Sequence, residues 1–168
     1  MKKILFIVSL LLLAACSNDE VKYDGAPLKI AVVGDIPELK NEKIHFEPIS
    51  LDEFSEDTMH ISTNFDAVMI TPVLFEEASD DRFVKVYKNS KIPIIFFDST
   101  KRHLPFTNDG LTYETAHQEA LNNGSHTTIY LSDNAVNRED AWYFFLKDEK
   151  EIDILYKDIF QKIETLKR

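Results

Sequence analysis

Two aspartates follow apolar segments of the chain that have the composition of buried strands. Asp35 comes two positions after a run that ends at Val33, and Asp98 comes directly after a run that ends at Phe97. Two neighbouring carboxylates can serve as general acid and general base when their surroundings separate their pKa values. The alternative is that each aspartate only caps the turn that follows its strand. Under the first interpretation, Asp35 and Asp98 are the candidate catalytic residues.

Glycine, hydroxyl and basic side chains accompany these aspartates. In an open α/β sheet, ligands bind beyond the carboxyl ends of the strands, at the point where the strand order reverses. Ser132 and Asp133, after the fifth predicted strand, are expected at the same rim. The candidate ligand-binding residues are Gly34, Asp35, Thr71, Ser99, Thr100, Lys101 and Arg102.

Lys101, Arg102 and His103 form the one concentrated basic segment of an acidic chain. They follow the fourth predicted strand in a long loop, and long loops at a strand-end rim are often functional. Such a segment suits an anionic ligand or an acidic partner. The alternative, which the sequence favours, is salt bridging to nearby acidic side chains.

The sequence contains no complete motif for a metal site, a nucleotide cofactor or a serine hydrolase. Glu114 and His117 are three positions apart on a predicted helix, but a carboxylate–histidine metal site needs a second such pair. The glycine patterns of dinucleotide and phosphate loops do not occur, and neither does the G-x-S-x-G pattern of serine hydrolases. We therefore predict no metal site and no cofactor.

Six strands and several helices are needed to position these residues. Short apolar runs, or runs rich in β-formers, predict the strands, and the last of these, if it lies at an edge, could add a strand from a partner. The predicted strands are Leu28 to Val33, Lys43 to Ile49, Phe65 to Ile70, Ile92 to Phe97, Thr127 to Leu131 and Ala141 to Leu146.

Helices are predicted between most of these strands. Ser50 opens one that reaches about Met59, and Thr71 with Pro72 opens another. The spacing also predicts helices over 112–122 and 148–166. Strand–helix alternation predicts a three-layer α/β sandwich, with a mostly parallel, flavodoxin-like sheet of order 2-1-3-4-5 and an antiparallel edge strand.

Composition sets limits on size and partners. The chain has 168 residues, with 19 basic and 29 acidic side chains and a net charge of −10. Without Lys2 and Lys3 the balance is 17 against 29, or −12. Nucleic acids and anionic lipid surfaces attract basic patches, so this balance excludes nucleic acid as an expected partner. Residues 28–168 suit a single domain, and the polar segment 17–27 suits a flexible tether.

The first sixteen residues carry a targeting signal. Two lysines precede the apolar run Ile4 to Leu13, and two alanines then precede Cys16, the only cysteine. Charge, a short apolar run and small residues before a cut define a secretory signal. The ending resembles the lipobox of bacterial lipoproteins. That resemblance implies removal of residues 1–15 and attachment of acyl chains such as palmitate to Cys16.

These observations favour a lipoprotein held on the extracytoplasmic face of the cell membrane, or of the outer membrane in a Gram-negative source. We expect a non-enzymatic binding module whose partner is a ligand or an envelope protein. The alternative is a membrane-tethered hydrolase or transferase that uses strand-end Asp and Ser or Thr residues.

Replacing Cys16 with alanine removes the thiol that would carry the lipid. Because several acyl chains are needed for durable anchoring, we expect the Cys16→Ala protein to leave the membrane fraction and to incorporate no labelled palmitate. Cell fractionation and metabolic labelling test this. A variant that stays membrane-bound and labelled would contradict the lipoprotein interpretation.

Overall fold

The computed structural model describes residues 21–167, so the predicted signal and Cys16 lie outside the described residues. Six strands form one mixed sheet in the order β2-β1-β3-β4-β5-β6. Their bounds are β1 Leu28–Val33, β2 Ile44–Pro48, β3 Ala67–Ile70, β4 Ile94–Phe96, β5 Thr127–Asp133 and β6 Arg138–Phe144.

Helices of very different lengths connect the strands. The 3₁₀ turns Pro72–Leu74 and Glu149–Glu151 precede the third and the seventh helix. The helices are α1 Leu51–Glu56, α2 Thr58–Asn64, α3 Phe75–Ala78, α4 Asp81–Asn89, α5 Leu104–Thr107, α6 Gln118–Leu121 and α7 Ile152–Leu166.

Two apolar cores lie on opposite faces of the sheet, which confirms the α/β class and the helix–sheet–helix layering. One core packs side chains of α1 to α5 against the sheet, with Phe54, Phe75 and Tyr87 fully or almost fully buried. The other packs α7 against the opposite face through Ile159 and Phe160. Because both faces are covered, β1 and β3 are apolar over nearly their whole lengths.

The fifth strand runs in the direction opposite to the predicted one. β1 pairs in parallel with β2 and β3, and β3 pairs in parallel with β4, but β4 pairs with β5 antiparallel. The sheet is therefore mixed, and the expectation of a mostly parallel, flavodoxin-like sheet is wrong for β5. The antiparallel edge strand is confirmed, because β5 and β6 form a hairpin.

The reason lies in the connection from β4 to β5. A parallel pair needs a crossover over the sheet, usually a helix of several turns. The predicted helix over 112–122 is reduced to Gln118–Leu121, and the chain before it is bound to side chains of the α3 region instead of crossing the sheet. Tyr113 donates its N–H to Ser79 Oγ at 2.7 Å, and Glu114 donates its N–H to Glu76 Oε2 at 2.6 Å.

A second predicted helix is divided in two. Ser50 caps α1 by accepting the Glu53 N–H at 3.0 Å, as its position predicts. Asp57 then ends α1 and caps α2, since its carboxylate accepts the His60 N–H at 3.1 Å. A capping side chain inside the predicted helix therefore starts a new one.

The segment before β1 packs on the domain. Tyr23 is 3% exposed, packs on Phe160 of α7 and donates its hydroxyl to the Ala26 carbonyl at 2.7 Å. Ala26 in turn donates its N–H to Glu164 Oε1 at 3.0 Å. Tyr23 to Ala26 thus differ from the flexible tether that their composition suggested. Within residues 21–167, no helix has the length and apolarity to cross a membrane.

Gly34 provides a test of the crowded strand ends. It has φ +103°, and a Cβ there would lie 2.3 Å from Thr71 Oγ1. Gly110 also has positive φ, +75°, but a Cβ there would meet nothing within 4 Å. We expect Gly34→Ala to lower the free energy of unfolding by about 3 kcal/mol and Gly110→Ala by about 1 kcal/mol, because only the first adds a clash to the backbone strain. Urea unfolding measures both, and equal losses would contradict the role of Thr71.

Candidate functional site

The antiparallel direction of β5 brings a histidine to the carboxyl end of β4. Asp98 follows β4, and His126 precedes β5, so the two residues meet at the same end of these neighbouring strands. The Asp98 carboxylate lies 3.4 Å from Nε2 of His126. The Asp98 side chain is 53% exposed and that of His126 is 16% exposed, so the carboxylate faces solvent and the ring is mostly covered.

Thr127 completes a hydrogen-bonded chain behind this pair. Its Oγ1 lies 2.8 Å from Nδ1 of His126 and accepts the Asp98 N–H at 3.4 Å. An ionised carboxylate only accepts hydrogen bonds, so Asp98 selects the tautomer that carries its proton on Nε2. Nδ1 then accepts a hydrogen bond from the Thr127 hydroxyl. Both ring nitrogens of His126 and the Thr127 hydroxyl have partners in this arrangement.

The His126 ring is neutral at pH 7. Burial lowers the pKa of His126 below its ordinary value, and the Asp98 carboxylate opposes this effect only in part. The ring therefore adds no positive charge beside the Asp98 carboxylate.

A pocket of about 470 Å³ opens in front of Asp98 and His126. Its floor is aromatic, since the Phe97 and Tyr156 rings stack with centroids 5.5 Å apart. Aliphatic side chains and a second carboxylate complete the lining. The lining residues are Phe97, Asp98, His126, Leu146, Glu149, Ile152 and Tyr156.

The Asp–His–Thr chain differs from a nucleophilic triad. Catalysis of that kind needs a hydroxyl that reaches the substrate, with the histidine between it and the carboxylate. Thr127 has no solvent exposure, and its hydroxyl is bonded to the His126 ring. Its hydroxyl orients the ring instead. The arrangement is suited to binding a charged ligand at Asp98.

Asp35 lies apart from this pocket. The strand β3 separates β1 from β4, so the two strand ends are about 10 Å apart. Asp98 contacts His126 on the β5 side, and Asp35 is not among the residues that line the pocket. Asp35 is exposed, and its N–H is bonded to Thr71 Oγ1 at 2.9 Å.

Thr71 has a structural role that differs from the expected helix cap. Its side chain makes no cap hydrogen bond to the 3₁₀ turn that follows it. Its hydroxyl accepts the Asp35 N–H and donates to the Val33 carbonyl at 3.3 Å. Thr71 thus ties the end of β1 to the end of β3, with Gly34 between them.

The hydroxyls after β4 are also used within the fold. Ser99 is fully buried and donates to the Arg102 carbonyl at 2.7 Å. Thr100 Oγ1 lies 3.4 Å from the hydroxyl of Tyr113. These contacts close the turn in which Asp98 and Arg102 take positive φ angles of 57° and 60°. The turn positions Asp98 rather than supplying ligands of its own.

Lys101 and Arg102 bind carbonyl groups rather than the acidic side chains expected from the sequence. Lys101 donates to the Tyr113 carbonyl and lies 4.7 Å from the centre of the Tyr113 ring. Arg102 donates Nε–H to the Leu121 carbonyl at 2.5 Å. Both side chains hold the β4–β5 connection against the strand-end turn.

Glu114 and His117 do not share a helical face. They are exposed and precede α6, in an irregular segment. Across residues 21–167, no group of three His, Cys, Asp or Glu side chains is placed to hold a metal ion.

Comparisons with known proteins add no assignment. No family model, no curated protein and no solved structure matches the chain.

The pocket contains residues that the sequence analysis missed. His126 directly precedes a predicted strand, but it reaches the Asp98 rim only if that strand is antiparallel. Glu149 and Tyr156 come from the segment after β6, and no spacing links them to Asp98 in the sequence. Conversely, Ser132 and Asp133 lie at the opposite edge, where the neighbouring Asn134 bonds to the Lys88 carbonyl of α4 at 2.9 Å.

His103 lies beneath the same connection, on the other face of the sheet from α7. Its ring stacks on Tyr130 with centroids 5.4 Å apart, and its buried Nδ1 has no hydrogen-bond partner among residues 21–167. Burial and the nearby Arg102 guanidinium lower the pKa of His103 to about 4.

This shift predicts a dependence of stability on pH. Between pH 6.5 and about 4, the unfolded chain binds a proton that native His103 does not, so stability falls as the pH falls through this range. For His103→Phe, which keeps a ring but cannot titrate, we expect the loss between pH 7 and pH 4.5 to be smaller by about 2 kcal/mol. Urea unfolding at both pH values measures it. Replacing the exposed His45 by Phe is the control, and an equal change in both variants would contradict the assignment.

Proposed function

We propose that the protein is a lipid-anchored extracytoplasmic binding module that holds a small, positively charged organic ligand. The observation that carries this proposal is the pocket at the end of β4. There the carboxylates of Asp98 and Glu149 line a concave surface whose floor is formed by Phe97 and Tyr156.

The chemistry of the pocket selects among ligand classes. A cation is attracted both by the carboxylates and by the faces of aromatic rings. Because His126 is neutral, it places no positive charge against such a ligand. The aliphatic side chains of Leu146 and Ile152 favour a ligand that has an apolar body beside its charge.

The alternative is a membrane-tethered hydrolase or transferase. Such an enzyme needs an accessible hydroxyl or a pair of carboxylates within reach of one substrate. The hydroxyls of Thr71, Ser99 and Thr127 are buried and bonded within the fold. The geometry therefore supports binding better than catalysis.

Calorimetric titration of the whole protein with benzylamine tests the ligand class. Benzyl alcohol and benzoate are the neutral and anionic controls of nearly equal size. We expect binding of the amine alone, weakened roughly tenfold by Asp98→Asn or by Glu149→Gln, because each substitution removes one charge-assisted contact. Glu56→Gln, which changes an exposed side chain of α1 outside the pocket, is the matched control and should leave the affinity unchanged. Tighter binding of benzoate, or equal losses in all three variants, would contradict the proposal.

A further inference from the structure

An apolar groove of about 590 Å³ lies between the edge strand β6 and helix α7. Trp142, Phe144 and Phe145 line its strand side. Its helix side is formed by Asp158, Gln161, Lys162 and Thr165. The groove is separate from the pocket at Asp98, which lies at the other end of α7.

The stripe of α7 that borders the groove carries an exposed apolar residue, Ile154, nearer the N-terminus of the helix. Ile154 precedes Asp158 by four positions and Gln161 by seven, so the three residues share one stripe of the helix. Ile154 is 42% exposed, and Phe145 at the end of the strand side is 55% exposed. Two large apolar side chains thus stand in solvent beside the groove.

The chain enters the domain on this same face. Tyr23 packs on Phe160 of α7, and Lys22 shares a surface depression with Asp153, the neighbour of Ile154. Val21, the first described residue, is 42% exposed. Because an α-helix with its side chains is about 10 Å wide, the groove on the far side of α7 lies about one helix diameter from Tyr23.

The length of chain before the described residues limits how far this face can lie from a lipid anchor. Cys16 precedes Val21 by five positions, which span at most about 18 Å even when fully extended. A domain attached so closely to a bilayer must have the surface around its entry point near the lipid. Val21 belongs to that surface, and so does Ile154, whose neighbour Asp153 shares a depression with Lys22; both apolar side chains are exposed.

We propose that the face formed by β6, α7 and the entry segment rests on the bilayer, with Trp142, Phe145 and Ile154 in the interfacial layer. This rests on the proposed lipid anchor at Cys16. Tryptophan is enriched at the membrane interface, and lysine extends its charge toward water from such a position. Lys162 borders the groove beside this tryptophan, with Nζ 4.3 Å from the centre of the Trp142 ring.

The contact is apolar rather than electrostatic. Asp153, Asp158 and Glu149 are exposed around the same face, and the chain as a whole carries −10. Anionic lipid therefore repels it, and screening by salt weakens the repulsion. The expected order of lipid preference, neutral over anionic, is the reverse of that of a polybasic membrane protein.

Trp142 is the only tryptophan of the chain, so its fluorescence reports on this face alone. The acylated protein, purified in detergent from the membrane fraction, is reconstituted into phosphatidylcholine vesicles with and without brominated acyl chains. Flotation of the vesicles reports the anchor, and quenching by bromine reports contact of Trp142 with lipid. We expect flotation together with roughly twofold quenching. Quenching should be weaker in vesicles that contain phosphatidylglycerol and should recover when salt is added.

Matched substitutions separate the docked face from the anchor. Phe145→Ser combined with Ile154→Ser should abolish most of the bromine quenching while flotation is retained. Met59→Ser, which changes a side chain 66% exposed on α2 of the opposite face, should change neither. Flotation without quenching in the native protein would overturn the proposal and leave the groove to a protein strand added at β6. Loss of flotation in the native protein would instead refute the anchor, and with it the basis of the proposal.

Discussion

The structure depends on a connection that does not cross its own sheet. Between β4 and β5 the chain turns at Asp98, packs against α3 and α4, and returns to the end of the sheet at which β4 stops. The bonds from the Tyr113 and Glu114 N–H groups to Ser79 and Glu76 hold it there, as does the bond from Arg102 to the Leu121 carbonyl. Since β5 then starts where β4 ends, the two strands must be antiparallel. The pairing of Asp98 with His126, the hairpin to β6 and the position of α7 all follow from that direction.

The polar side chains of β5 are buried on both faces of the sheet, but their hydrogen bonding differs between the two faces. Thr127 belongs to the site side, and its hydroxyl is satisfied by the His126 ring and the Asp98 N–H. On the other face, Thr128 Oγ1 is buried without a hydrogen-bond partner among residues 21–167, as is Nδ1 of His103, whose ring stacks on Tyr130. Unsatisfied buried groups lower stability. Buried polar side chains are therefore hydrogen-bonded on the pocket side of β5. Beneath the β4–β5 connection, on the other side, some of them are not.

The sequence predicts those features that local patterns determine. Apolar runs place β1, β3 and β4 close to their observed bounds, and Ser50 correctly marks the start of α1. Local patterns do not predict strand direction, because the composition of the run Thr127 to Leu131 suits a parallel and an antiparallel strand equally. The helix expected over 112–122 is shorter for a related reason: the segment before Gln118 is held by side chains more than thirty positions earlier in the chain, and no local pattern reveals those contacts. Asp98 was found as a candidate, whereas His126 was missed because its place depends on the direction of β5.

Helix α7 connects the three features that bear on function. Ile152 and Tyr156 line the pocket, Phe160 packs on Tyr23 where the chain enters, and Lys162 borders the groove. Six positions separate Tyr156 from Lys162, a rise of about 9 Å along the helix. A bilayer that contacts the groove therefore lies about one helix diameter from the pocket. The apolar body of the proposed ligand favours the membrane interface for the same reason that it suits Leu146 and Ile152 of the pocket. The rigid helix would thus hold the pocket at the depth where such a ligand is most abundant.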